Sequence, residues 1–282
     1  MSITAIDTPV QTGDGHRYTV ISRMPAQAKA HLLWIPALGV AARHYLPFAE
    51  ALAARGIAVH LHEWRGNGSS SLRANRASDW GYRELLTQDL PATHGIVREH
   101  ASGSALIIGG HSLGGQIAGC YLGLHPDAFP RLWLVASGTP YWRTFPRPLR
   151  WTLPWFYQFA IWIARRRGAL PGRQLGFGGE EARSLIRDWA SVGLGGHYAA
   201  AGMSEDLDAA MARAQPRLYG VLFKRDWLAP QASLAGLIAK FPQARSQVAL
   251  LDAPALGARA DHFAWMKRPD AVAKLLCDSL GR

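Results

Sequence analysis

Cysteine is almost missing from this chain: 282 residues hold two, Cys120 and Cys277, far apart and each in a helix-like context. That excludes a disulfide framework and a thiolate metal site, and both read as small hydrophobes of a reducing compartment. No apolar run approaches the roughly 20 residues that a membrane crossing takes. Met1 to Gly15 has neither a basic n-region nor an apolar h-region, so no secretory signal is read and a cytoplasmic location is expected. No Gly-Lys-Ser/Thr follows the glycine pairs, which excludes a phosphate loop. His60 and His62 alternate along a strand with no third ligand spaced to join them, so neither a metal nor an organic cofactor is expected. Acidic residues are also scarce, with 20 Asp and Glu against 31 Lys and Arg, a net charge of +11. No helix-turn-helix, zinc-finger or RNA-recognition signature accompanies the excess, so nucleic acid is set aside as a partner. The charge reads either as a solvated arginine-rich surface or as an attraction for anionic partners.

What is present is an alternation. Short apolar runs of strand character fall at Tyr18–Ile21, His31–Ile35, Ile57–Leu61, Ala105–Ile108 and Leu132–Ala136, with Thr12–Gly15 as a turn in a hairpin-like opening. Helical spacing fills the gaps at Tyr45–Arg55, at about Tyr82–Glu99 and after residue 115. The alternation stops at Gly138 and resumes with strands at Leu218–Phe223 and Val248–Leu251 and helices at Ala232–Lys240 and Pro269–Leu280. Strands and helices in that order predict an α/β fold, a mostly parallel sheet covered by helices on both faces. Residues 1–138 and 215–282 read as the core. Residues 139–214, largely helical and rich in aromatics and arginine, read as an inserted helical cap.

The chemistry centres on Leu106-Ile107-Ile108-Gly109-Gly110-His111-Ser112-Leu113-Gly114-Gly115. An apolar strand ends in Gly-x-Ser-x-Gly and a helix begins at once, which lifts the serine hydroxyl above the sheet edge. The plain alternative is turn chemistry with one serine in it. A serine nucleophile needs a base, and the base needs an acid to orient it. Asp226 follows the strand ending at Phe223, and His262 lies between the last strand and the last helix. Singly, the aspartate could cap a helix or pair with Arg225, and the histidine could be structural. Jointly they follow Ser112 in the order Ser, Asp, His, each past a strand end, where catalytic groups gather in open α/β sheets. Asp206 and Asp208 are fallback acids. His111 should point away from the nucleophile and pack, Glu63 and Asp89 read as structural, and His44 and Tyr45 either line the pocket or start a helix.

In these pieces the chain resembles the α/β-hydrolases, closest to bacterial predicted hydrolases like the serine aminopeptidase and monoglyceride lipase branch. The matching segments are Trp64-Arg65-Gly66-Asn67-Gly68-Ser69-Ser70, Gly110 to Gly115, Asp226-Trp227-Leu228-Ala229-Pro230 and Asp261-His262-Phe263. The resemblance implies a nucleophile at Ser112, an acid at Asp226, a general base at His262, and the Leu113 N–H as half of an oxyanion hole. Many relatives carry His-Gly where this chain has Pro36-Ala37-Leu38-Gly39, so the second donor is expected at the Leu38 N–H, with Ala37 and Gly39 as alternatives. Backbone donors do not depend on side-chain type.

The expected activity is hydrolysis of a carboxylic ester, or a related acyl bond, of an apolar small molecule through an acyl-enzyme. An amidase or aminopeptidase, an acyltransferase, and a non-catalytic protein on the same scaffold remain rivals. Within the insertion, Trp151 to Ala164 is strongly apolar and flanked by Arg150 and Arg165-Arg166-Arg167. Such a helix either packs its rings over the active site or lies on an anionic membrane. The sequence gives no oligomeric state.

Overall fold

The computed structural model describes residues 2–281. Ten strands run in chain order: β1 (Ile3–Gln11), β2 (Arg17–Pro25), β3 (Ala30–Ile35), β4 (Ile57–Leu61), β5 (Ala105–His111), β6 (Arg131–Val135), β7 (Ala169–Pro171), β8 (Glu180–Ala182), β9 (Arg217–Phe223) and β10 (Arg245–Leu251). Eight of them form one sheet in the order β1-β2-β4-β3-β5-β6-β9-β10. From β4 to β10 neighbouring strands are parallel, while β1 and β2 form an antiparallel hairpin against β4. This is the mostly parallel α/β sheet that the alternation predicts.

The central strands read as unbroken apolar runs because both faces are covered. Alternate residues divide between two cores, as a period of two requires. Leu33, Ile108, Leu132 and Leu134 face one core with the helix Leu113–Leu124, and Leu32, Trp34, Ile107 and Trp133 face the other with Leu46–Ala53 and Asp270–Asp278.

Several elements depart from the predicted boundaries. β1 is nine residues of alternating polar and apolar character at the sheet edge, where the polarity of Met1 to Gly15 conceals it. The helix expected over residues 82–99 is present, but Leu85–Asp89 is wound as a wider π-type turn just ahead of Pro91. A proline lacks the N–H that an α-helical turn would use, which favours such a local rewinding. Between β6 and β9 the chain makes two long helices, Leu149–Arg167 and Arg183–Gly195, and the short β7–β8 ribbon, which the sequence does not announce. A further helix, Leu207–Arg213, packs on the helix Leu113–Leu124, where a side chain on Gly123 would stand 2.7 Å from the Met211 nitrogen.

Two buried polar groups tie the sheet together. Arg65 makes a two-pronged ion pair with Asp89, at 2.7 and 2.8 Å, and Asp89 also shares a hydrogen bond with His16. His60 shares hydrogen bonds with Ser22 at 2.8 Å and His31 at 3.0 Å and stacks on His100, so the strand histidines serve packing. His62 bonds Thr93.

Burial pushes His60 down to about 3 and His62 down to about 4. Between those values and the unfolded value of 6.5, the unfolded chain binds protons that the folded one refuses. Stability is therefore complete above about pH 6.5 and falls as the pH drops, by up to about 1.4 kcal/mol per pH unit for each such group. Denaturant midpoints should be lower at pH 5 than at pH 7, and His62→Asn should flatten the slope. Coincident midpoints would show that these histidines titrate normally in the fold.

Candidate active site

β5 carries the chain to His111, and Ser112 turns it into the helix Leu113–Leu124 with φ 55° and ψ −123°. A non-glycine residue held there is strained, and the surrounding packing maintains it. A Cβ on Gly110 would lie 2.3 Å from the Gly114 carbonyl carbon, and one on Gly114 would lie 2.2 Å from the Ile35 oxygen. Only hydrogen atoms fit at both positions. The Ser112 carbonyl accepts from Ser137 Oγ at 2.7 Å, which fixes the turn from the far side.

Asp226 lies past the end of β9 and serves two purposes. Its Oδ1 accepts the N–H groups of Leu228 (2.9 Å) and Ala229 (3.1 Å), the turn-capping use that a lone aspartate suggests. Its Oδ2 stands 2.7 Å from His262 Nδ1. Both side chains are buried. The loop holding His262 is shaped by Asp261, whose Oδ1 accepts from the N–H groups of Phe263 and Ala264. Asp206 and Asp208 are engaged elsewhere: Asp206 caps the helix Leu207–Arg213, and Asp208 pairs with Lys240 and His197.

Ser112 and His262 line one cavity of about 500 Å³. Among the described residues no hydrogen bond joins the two side chains, and contacts of this kind often close only when substrate is bound. Leu38 and Leu113 line the same cavity, and among the described residues neither backbone N–H has an acceptor. The two alternative donors are placed differently. The Ala37 N–H is given to the Tyr45 hydroxyl at 2.8 Å. Gly39, at φ 73°, is pressed against Gly178 and Gly179.

The loop bearing Leu38 is pinned from several directions. Trp64 Nε1 donates to the Pro36 carbonyl at 2.8 Å. Glu63 accepts the Ala42 N–H (2.9 Å) and the Ser69 N–H (3.1 Å), a structural use that joins the Arg65–Ser70 loop to the start of the next helix. Glu181, whose carboxyl burial pushes up to about 7, accepts the Gly179 N–H at 2.6 Å beneath Gly39.

His111 packs, as its position implies, but on a meaningful neighbour. Its ring lies 4.8 Å from that of His262, and its Nδ1 shares a 2.8 Å hydrogen bond with the Tyr45 hydroxyl. Tyr45 thus joins the Ala37 loop to the ring behind His262. Of the two readings of Tyr45, the helix start holds, since it closes the helical turn Ala42–Tyr45 and is not among the described cavity-lining residues; the sequence offers no sign of this link, which crosses 66 residues.

The remaining walls are largely apolar, with Leu149, Leu153 and Phe156 from the helix Leu149–Arg167 and Phe177 and Trp189, while Gln116, Thr152 and Tyr157 add uncharged polar groups. A strained serine at a strand-to-helix turn, beside a buried histidine–carboxylate pair and below helices inserted after β6, is the arrangement of one large group of hydrolases. The family model for serine aminopeptidases, S33, matches residues 26–191, more than half of the chain. The protein belongs to this hydrolase family. Among solved structures it is similar to an esterase from Exiguobacterium antarcticum (15% identity, TM-score 0.66, 98% of this chain and 100% of that one). A 2-hydroxy-6-oxo-6-phenylhexa-2,4-dienoate hydrolase from Rhodococcus sp. strain RHA1 aligns at 16% identity and TM-score 0.62, over 100% of both chains. The N-formylmaleamic acid deformylase of Pseudomonas putida S16 aligns at 18% identity and TM-score 0.58, over 98% of this chain and 100% of that one. At these identities the likeness shows the α/β-hydrolase fold. The search of curated protein sequences gives no match.

The tight approach beneath Ser112 is testable. Gly114→Ala forces a methyl group into backbone carbonyls, so it should lower stability by several kcal/mol or move the serine turn. Thermal denaturation together with a serine-directed label reads both; a variant that keeps wild-type stability and labelling would show that the approach is looser than described.

Proposed function

We propose that the protein is a serine hydrolase that cleaves carboxylic esters of apolar acyl groups through an acyl-enzyme on Ser112. One observation carries this reading. Around Ser112 the described cavity wall holds no Asp, Glu, Lys or Arg, and apart from His262 its side chains are apolar or uncharged. An aminopeptidase must hold the ammonium group of its substrate, and burying that charge without a carboxylate is costly. An apolar acyl chain needs only the area that these walls bury.

In the proposed cycle Ser112 Oγ attacks the acyl carbonyl carbon while its proton passes to His262 Nε2. The carbonyl oxygen becomes an oxyanion, for which the N–H groups of Leu113 and Leu38 are the donors. The tetrahedral intermediate collapses, the ester C–O bond breaks, and His262 returns its proton to the leaving alcohol. Water then attacks the acyl-enzyme, His262 takes up a water proton, and the carboxylic acid leaves as Ser112 recovers its hydrogen. Asp226, on Nδ1, holds the tautomer that leaves Nε2 free to accept, and it steadies the imidazolium formed twice per turnover. No step draws on a metal or organic cofactor. The three similar structures are named for an esterase, a dienoate hydrolase and a deformylase, which supports hydrolysis, and the uncharged cavity wall favours an apolar ester among the bonds that such machinery cleaves.

A fluorophosphonate should label Ser112, and the label should vanish in Ser112→Ala and His262→Ala. Asp226→Asn should lower kcat about 10⁴-fold, the size of loss seen when the tautomer is wrong. Labelling elsewhere, or none, would dismiss Ser112 as the nucleophile. Turnover of 4-nitrophenyl esters of increasing chain length, set against aminoacyl 4-nitroanilides, tests the substrate class. Medium-length acyl esters should lead, and Leu153→Trp, which intrudes on the cavity, should shift the optimum to shorter chains. Preference for the anilides would replace the ester reading with an aminopeptidase.

A further inference from the structure

The helix Leu149–Arg167 has two apolar faces, and only one belongs to the cavity. Leu153, Phe156, Tyr157, Ala160 and Ala164 turn inward, to the cavity or the protein interior. Trp151, Trp155, Phe159 and Trp162 turn outward and are 54%, 79%, 49% and 54% exposed. At about 100° per residue these four side chains fall within an arc of about 80°. They form a continuous stripe of large rings along an otherwise solvated surface. Nothing in the cavity explains it.

The segment that carries the stripe has charge of one sign. From residue 139 to residue 179 the sequence has seven arginines, Arg143, Arg147, Arg150, Arg165, Arg166, Arg167 and Arg173, and no Asp or Glu. Among the described residues none of the seven is in an ion pair. Guanidinium groups lie over the rings instead: Arg150 over Trp151 at 4.6 Å, and Arg166 over Trp162 at 5.5 Å. Arg143 lies over the neighbouring Trp142 at 5.0 Å. Among the described residues no helix is long and apolar enough to cross a membrane.

We propose that this face docks the enzyme on an anionic lipid bilayer, with the four rings at the level of the headgroups and the arginines on lipid phosphates. Amphipathic rings and flanking cations suit that interface, where one end of a side chain is wet and the other apolar. Charge complementarity selects the occupant. A two-fold dimer through the same face would set the arginines of this segment against their own copies, with no carboxylate in the segment to meet them. An anionic membrane supplies the missing negative charge. Leu175, Trp227 and Phe263 line the cavity and are themselves exposed, so the cavity rim is apolar where it meets solvent. Docking would then present that rim to the phase in which apolar esters dissolve, a consequence that rests on the proposed activity. The docking itself does not.

The test is flotation of the full-length protein with vesicles of phosphatidylcholine alone or with 30–40% phosphatidylglycerol (roughly the excess needed to make the surface strongly anionic). Binding is measured on Ser112→Ala as well as wild type, which separates it from catalysis. Both should float with the anionic vesicles, at least tenfold more than with neutral ones, and tryptophan emission should shift to the blue. Trp155→Ser/Phe159→Ser/Trp162→Ser should lose most of the binding and keep turnover of a soluble short-chain ester, since none of these residues lines the cavity. Arg165→Gln/Arg166→Gln/Arg167→Gln, which leaves the rings in place, should weaken binding and reduce its salt dependence. Absence of flotation, or equal flotation of the ring variant, would overturn the proposal. So would a concentration-dependent dimer in light scattering that the ring variant abolishes, which would assign the stripe to a second copy.

Discussion

The close approach of the helix Leu113–Leu124 to the end of β3 governs the candidate active site. With no side chain at Gly110 or Gly114, the turn folds tightly enough to hold Ser112 at a positive φ, and the helix N-terminus comes to lie beside the loop that carries Leu38. Two N–H groups on separate segments, Leu113 and Leu38, can face one cavity only because those segments touch. The backbone strain at Ser112 costs on the order of 1–3 kcal/mol. The buried strands on either side, β3 and β6, offset it.

A second layer fixes the groups that must not drift. Asp226 spends one oxygen on its own turn and the other on His262, so the carboxylate cannot swing away without losing two backbone bonds. Behind His262 stands His111, held by Tyr45, which also takes the Ala37 N–H. Burial keeps the His111 imidazole well below its usual range, so it presents a neutral ring to its neighbour. A cation there would oppose the charge that His262 acquires in the proposed cycle.

The sheet was legible because it obeys period two and its central strands are continuously apolar, as for His31–Ile35 and Leu132–Ala136. The serine turn was legible for a related reason: its glycines answer a local steric demand that any sequence must meet in the same way. Asp226 and His262 needed chain order and strand ends to be joined, and their 2.7 Å contact spans 36 residues. What stayed hidden depends on partners that no local pattern names. β1 gives no continuous apolar run because an edge strand exposes much of its length. The β7–β8 ribbon is three residues a side and carries no periodicity. The hydrogen bonds from Tyr45 to Ala37 and His111, and from Trp64 to Pro36, use side chains whose type suits plain packing equally well.

The aromatic segment Trp151–Ala164 shows how far composition alone can go. Its apolar character reads equally as a cover for the active site or as a surface for a membrane, because a count of rings does not say which way they face. The helix has rings on both sides, some toward the cavity and some in solvent. Phe156 and Leu153 close the cavity, while Trp155 and Phe159 stand in solvent. A helix needs only a stripe of about 100° to pack. A second stripe of large rings on its far side adds nothing to folding and exposes apolar area to water. Arginines laid over Trp151 and Trp162 cover part of that area, and the same guanidinium groups are those that the proposed anionic surface would draw away. Four large rings left in solvent on one helix are the physical condition for the proposed docking, since covering them removes apolar area from water.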